Sequence, residues 1–224
     1  MLDLPAGQTH RALRTLEYTG YVERVPYSKY FQAGPSLHHL IRMSFAAIPL
    51  RKAATALLRE AASEMQAVVS LDLRLGWKRL RAEIAFGSSE MALEGAQIGA
   101  IDPLHLSASG LSILANLPSA EQGAYAEQTS VELDLGLLGK IREVGYFSAT
   151  TDFDNVQGKL AIPVLDASGN AIAAIGIDDG VNAAKQTTTK TLRRLCDYAA
   201  GLEAMVAATP ELLSLPGGSD VYSK

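Results

Sequence analysis

Between Val69 and Phe86 the chain alternates apolar and polar residues twice over, and this pattern restricts the fold more than any other stretch. Val69, Leu71, Leu73 and Leu75 alternate with Ser70, Asp72 and Arg74; past Gly76-Trp77, Leu80, Ala82, Ile84 and Phe86 alternate with Arg79, Arg81 and Glu83. A period of two is that of a β-strand, whose successive side chains point to opposite faces. The pattern predicts a long antiparallel hairpin with one buried face. Its other face, carrying Arg74, Lys78, Arg79 and Arg81, is expected to lie in solvent rather than to form a nucleic-acid patch.

Helical and strand signals flank this hairpin on both sides. A helix is expected from Thr9 to Tyr18, with Pro5 tolerated at its start, an apolar face of Ala12, Leu13 and Leu16, and Gly20 as its terminator. Two β-prone stretches, 21–25 and 29–32, read as a short hairpin around Pro26-Tyr27-Ser28. Ser36 is placed to cap a further helix, Pro49 breaks it, and positions 54, 57, 58, 61 and 65 give an amphipathic helix to about Met65. Later come helices over 104–116 and 132–144, a second hairpin with Leu160–Leu165 and Ala171–Ile177 joined by Asp166-Ala167-Ser168-Gly169-Asn170, and a last helix. That helix carries Leu192, Leu195, Cys196, Ala199, Leu202 and Val206 on one stripe, which makes Cys196 a packed residue; the Gly- and Ser-containing end from Pro216 to Lys224 is expected to be loose. The sum is an α+β fold with an antiparallel sheet and helices on one side.

Composition narrows the class. At 224 residues, 48% hydrophobic and 20% charged, the chain is long enough for one substantial core and a small accessory unit. One cysteine rules out an internal disulfide framework, and four dispersed histidines argue against a metal site. No apolar run reaches the ~18 residues of a membrane span, and the first residues lack the apolar core of a secretory signal, so a cytoplasmic location without membrane partners is expected. Residues 1–43 hold five Lys and Arg against three Asp and Glu, a mild basic excess in a chain of net charge −4.

Leu4-Pro5 with His10-Arg11-Ala12-Leu13-Arg14-Thr15-Leu16-Glu17 and Gly20-Tyr21-Val22-Glu23-Arg24 resembles the recognition helix and wing entry of IclR-type transcriptional regulators. The likeness continues in order through Phe31 to Leu37, Pro103-Leu104-His105, Ser109-Gly110, Leu114 to Pro118, Ile141-Arg142, Gly145-Tyr146, Leu160 to Asp166, Gly169-Asn170 and Ala173 to Ile175. The resemblance implies a partial winged helix-turn-helix head over 1–34, a linker helix over 35–49, and an effector-binding domain similar to GAF and PAS sensors over 50–208, followed by a tail over 209–224. It implies a homodimer or tetramer that binds operator DNA and responds to a small organic acid, aromatic acids included, without a cofactor or a catalytic centre. In such a head, Gln8 would read adenine, Arg11 or Arg14 guanine or phosphate, and Lys29 on the wing a phosphate, with His10 beside them.

The resemblance also implies where an effector sits. Ser107, Ala108 and Ser109 would form an amide-rich helix start, Ala149 and Lys159 a wall, and Gly176 and Asp178 the last strand. Unpaired N–H groups at a helix start suit a carboxylate, and Lys159 either neutralises that acid or turns its charge to water. Two other readings stay open. The family's head has two helices before the recognition helix, and only seven residues precede Gln8; an effector sensor without DNA binding of its own is the first alternative. A hydrolase using His105, Ser107 or Ser109, and Asp178 is the second, although no Gly-x-Ser-x-Gly elbow surrounds these serines.

Overall fold

A computed structural model describes residues 5–88, 97–149, 160–178 and 189–213. The chain divides into two units, Met1–Ala47 and Ile48–Lys224. Among the sequence expectations, Lys159 and the chain end from residue 214 onward lie outside the described residues.

In the first unit, helix α1 (Ala6–Tyr18) ends where Gly20 adopts φ +75° and the Tyr21 amide reaches back to the Leu16 carbonyl at 2.9 Å. That six-to-one bond is the Schellman ending that glycine makes accessible. Strands β1 (Val22–Arg24) and β2 (Phe31–Ala33) pair antiparallel, Arg24 opposite Phe31, with the Arg24 guanidinium 5.1 Å from the Phe31 ring centre. Helix α2 (Pro35–Ala46) follows, with no buried residue. Ser36 does not cap it. Gly34 is the cap residue, and the Ser36 hydroxyl donates instead to the Thr19 carbonyl at 2.8 Å. Because a β-carbon on Gly34 would stand 2.2 Å from the Gly20 carbonyl oxygen, only glycine permits this crossing of the two turns.

The second unit is built on a six-stranded sheet in the order β5-β4-β3-β8-β7-β6, every neighbouring pair antiparallel. Its strands are β3 (Val68–Leu75), β4 (Lys78–Phe86), β5 (Ile101–Pro103), β6 (Phe147–Ser148), β7 (Leu160–Leu165) and β8 (Ala171–Asp178). Helices α3 (Pro49–Met65) and α7 (Thr189–Ala208) pack on one face. Helix α4 (Ala108–Ala115) lies on the other, against β7 and β8, with α6 (Leu135–Val144) behind it; α5 (Ser119–Thr129) joins these two. The sheet is therefore covered on both sides.

That coverage overturns the expectation of a solvated polar face. Arg74, Arg79 and Arg81 are buried together with Ser70 and Asp72, and of the four basic residues only Lys78 is exposed. The alternation correctly groups side chains by face; it carries no information about what covers the face. A bulge adds a second difference. Leu71 pairs with Glu83 but Asp72 with Arg81, leaving Ala82 as the extra residue of β4. One inserted residue reverses the alternation beyond it. Glu83 therefore faces α3, where Arg51 meets it at 2.8 Å and the Thr55 hydroxyl at 3.4 Å, while Arg51 Nε also takes the Ala82 carbonyl at 2.8 Å.

Three smaller corrections follow. The expected helix over 104–116 is a short 3-10 turn, Leu104–Leu106, and then α4, because Ser107 interposes an extended cap. Helix α5 carries too little apolar periodicity to announce itself, since it buries one side chain, Tyr125. Cys196 is exposed; the buried stripe of α7 is Leu195, Ala199, Leu202 and Val206.

Candidate effector site and candidate DNA-binding surface

The second unit places a serine-capped helix start directly on the sheet. Ser107 Oγ accepts the Gly110 N–H at 3.0 Å and its carbonyl accepts the Leu111 N–H at 2.8 Å. The amides of Ala108 and Ser109 have no acceptor among the described residues. Gly110 is required here, because a β-carbon would stand 2.0 Å from the Leu104 carbonyl oxygen. Ser109 and Gly176 come together as well. A β-carbon on Gly176 would stand 2.8 Å from Ser109 Oγ and 3.0 Å from Ser70 Oγ, and Ser70 is the cross-strand partner of Gly176.

Of the residues assigned to the effector from sequence, Ser107, Ala108 and Ser109 are buried at the start of α4 and Gly176 lies beneath them on β8. Ala149 is half-buried just beyond β6, against the apolar cluster that includes Leu111, Leu114 and Phe147. Asp178 ends β8 opposite Val68.

Beside the helix start is a charged group that the sequence reading set in solvent. Asp72 Oδ1 accepts from Arg79 at 3.0 Å and from Arg81 Nε at 3.1 Å, and Ser70 Oγ approaches Oδ2 at 3.5 Å. The second terminal nitrogen of Arg79 reaches Asp102 on the edge strand at 2.8 Å. Asp72 is fully buried and Arg79 is 1% exposed. Charges this deep persist only when paired and hydrogen-bonded, and each partner here is.

A third set of contacts fixes the turn that precedes α4. The Tyr125 hydroxyl accepts the His105 N–H at 3.2 Å and lies 2.6 Å from His105 Nδ1. Burial lowers the His105 pKa below its ordinary 6.5 and raises that of Tyr125. Trp77 packs edge-on against Tyr125 and donates to Gln128 at 2.5 Å; Arg74, above Trp77, pairs with Glu121. The tip of the β3–β4 hairpin is thus pinned to α5. The signal for Tyr125 in the sequence is weak, because a lone tyrosine in a polar segment has no periodicity. The described contacts of His105 are with Tyr125, and Ser107 Oγ serves as the cap of α4.

In the first unit, Gln8, His10, Arg11 and Arg14 are exposed on α1, within an arc of about 160° at 100° per residue. Lys29 is exposed in the turn between β1 and β2, its ammonium 6.0 Å from the Tyr30 ring centre. Arg11 and Arg14 form no ion pair among the described residues, whereas Arg24 is drawn to Glu17 at 3.4 Å.

No family model matches the chain. Two relatives do. The chain is 25% identical over 185 residues to the HTH-type transcriptional regulator KipR of Bacillus subtilis, covering 78% of this chain and 73% of KipR. It is 26% identical over 190 residues to the HTH-type transcriptional regulator XynR of Escherichia coli, covering 79% and 74%. Among solved structures it is similar to an IclR homolog of Microbacterium hydrocarbonoxydans complexed with 4-hydroxybenzoate, with a TM-score of 0.71, 23% identity, and 92% of this chain and 88% of that one covered. It is also similar to the Thermotoga maritima IclR, with a TM-score of 0.65, 22% identity, and 91% and 85% covered. The resemblance read from the residues therefore holds, and the chain has the fold of the IclR-type transcriptional regulators.

Proposed function

We propose that this chain is a DNA-binding transcriptional regulator of the cytoplasm whose second unit binds a small organic acid, with aromatic carboxylates as the first class to try. The observation that carries the reading is the match along about three-quarters of two HTH-type transcriptional regulators, joined to the same fold in both units. Support for an acid comes from the two amides at the start of α4, which present partial positive charge. Support for an aromatic one comes from the 4-hydroxybenzoate held by a relative of the same fold. On this reading Ser107, Ala108, Ser109, Ala149, Lys159, Gly176 and Asp178 surround the effector, and Gln8, His10, Arg11, Arg14 and Lys29 meet DNA. The effector alters DNA affinity, and no covalent chemistry is involved.

Gel shift on the promoter next to the gene, with and without 4-hydroxybenzoate and a panel of related acids, tests both halves. Sequence-specific binding that an acid weakens or strengthens is expected. A panel member at 100 times its Kd should also add about 2.7 kcal/mol of stability, read as a rise in Tm. No specific shift on any promoter fragment refutes the regulator reading; no Tm rise with any carboxylate refutes the effector reading.

A further inference from the structure

A cavity of about 560 Å³ runs between α5 and α6, and none of Ser107, Ala108 and Ser109 lines it. Each helix gives it one face. Positions 119, 122, 123 and 126 of α5 and 135, 138, 139 and 142 of α6 both follow the i, i+3, i+4, i+7 spacing of neighbours on a helix surface. Each face holds a glycine, Gly123 and Gly139, although glycine is the poorest helix former after proline. No described neighbour requires either one, since a β-carbon there meets nothing within 4 Å. Their effect is to keep the walls low, so that an apolar body can lie against backbone and against Leu138, which is 3% exposed.

Charge enters the cavity wall at two points, Glu132 in the segment leading into α6 and Arg142 near the end of that helix. Both are exposed, and neither forms an ion pair among the described residues. They therefore stand further apart than the ~4 Å of an ion pair. Neighbouring polar groups are already engaged. The Gln122 side chain donates to the Leu114 carbonyl at 3.0 Å, and Asp134 caps α6 by accepting the Leu137 N–H at 2.9 Å. A monoanion drawn to Arg142 is repelled by Glu132, and a monocation drawn to Glu132 is repelled by Arg142. A small zwitterion satisfies both charges at once and leaves its apolar remainder to the glycine-lined walls.

We infer that the α5–α6 groove binds a free apolar α-amino acid, branched or aromatic, with its carboxylate on Arg142, its ammonium on Glu132 and its side chain over Gly123 and Gly139. The guanidinium fork matches a carboxylate in a bidentate pair, and the two charged groups of one amino acid bridge residues that do not reach each other. The cavity volume falls within the ~300–1,000 Å³ of small-molecule sites. This molecule is a second ligand, separate from the acid assigned to the start of α4.

Isothermal titration calorimetry of the full chain with L-phenylalanine and L-leucine, in the absence of DNA, tests it. Saturable binding with a Kd below about 1 mM is expected. In displacement titrations 3-phenylpropionate, which lacks the ammonium, and phenethylamine, which lacks the carboxylate, compete at least about tenfold less well, because each leaves one charge unpaired. Arg142→Ala and Glu132→Ala each weaken L-phenylalanine by about tenfold. Gly139→Leu fills the groove and abolishes binding. Nothing stands near Gly139 and leucine is the better helix former, so the Tm of that variant stays at or above wild type; the two charge variants carry the test if it does not. 4-Hydroxybenzoate leaves the affinity for L-phenylalanine unchanged. The effector reading fails if no carboxylate binds, whereas the present inference fails if neither amino acid does. It is equally overturned by a one-charge analogue that competes as well as its parent, by competition from 4-hydroxybenzoate, by full affinity in both charge variants, or by full affinity in Gly139→Leu.

Discussion

Replacing Asp72 by asparagine separates a buried ion network from a solvated one. The Asp72 carboxylate is fully buried and its Oδ1 accepts from both Arg79 and Arg81, which are themselves 1% and 7% exposed. Asparagine keeps the size and one acceptor oxygen but removes the negative charge between two guanidinium groups. Asp102, the other carboxylate on Arg79, is 30% exposed. Breaking a buried pair from one side costs about 3–5 kcal/mol, against about 0–1 kcal/mol for a surface pair. We expect a loss near the lower end of the buried range, since the asparagine oxygen retains part of the hydrogen bonding. Trp77 is the only tryptophan and sits at the hairpin tip, so its fluorescence follows urea unfolding of this unit directly. A three-residue replacement of Asp72, Arg79 and Arg81 by leucine and methionine should recover much of the loss, because Asp102, the described carboxylate left without its arginine, is 30% exposed to water. An Asp72→Asn loss below about 1 kcal/mol would refute the reasoning, for it would mean that water reaches these charges as the alternation alone had implied.

Four further outcomes are expected. Tyr125→Phe removes the hydroxyl from the His105 amide and ring, costing about 1–3 kcal/mol in urea unfolding and weakening any effector whose binding uses the α4 start. Burial holds the folded-state pKa of His105 below its ordinary 6.5, so the unfolded chain takes up the proton first as pH falls. Stability contributed by neutral His105 is complete above that value and declines below it, and His105→Gln should flatten the decline in unfolding measured from pH 8 to 5. Gly176→Ala drives a methyl against Ser109 Oγ and Ser70 Oγ and should cost about 1–3 kcal/mol; Ser109→Ala in the same chain should return part of it, and additive losses would contradict the contact. Arg11→Ala and Arg14→Ala should each lower the slope of log affinity against log salt by about one if the residue meets a phosphate, and leave it unchanged if it does not.

Much of the backbone was legible because its punctuation is local. Gly20 ends α1 through a positive φ that few other residues adopt. Asp166 closes the β7–β8 turn by accepting the Ser168 and Asn170 amides, the habit of an aspartate at a turn start. What escaped depends on residues distant in sequence. Ser36 looked like a cap until the Thr19 carbonyl came within reach of it. Arg79 and Arg81 looked solvated because a strand's period says nothing of the helix that will cover it, and Glu83 changed face because a bulge leaves no mark on composition. The start of α4 and its placement over Gly176 could be read from the family likeness, whereas its support by Tyr125 required the fold.

The bulge at Ala82 has a mechanical side. Through it one strand serves two helical layers at once, Arg81 held by Asp72 beneath α4 and Glu83 held by Arg51 and Thr55 of α3. Sliding β4 by a single residue would tear both sets of partners and turn each charge toward the wrong layer. The sheet is thus keyed like a ratchet tooth that has no second notch. Any rearrangement of this unit is then confined to shear of helices across a stationary platform, with α4 and the Ser107 turn on one side and α3, which follows the first unit in the chain, on the other.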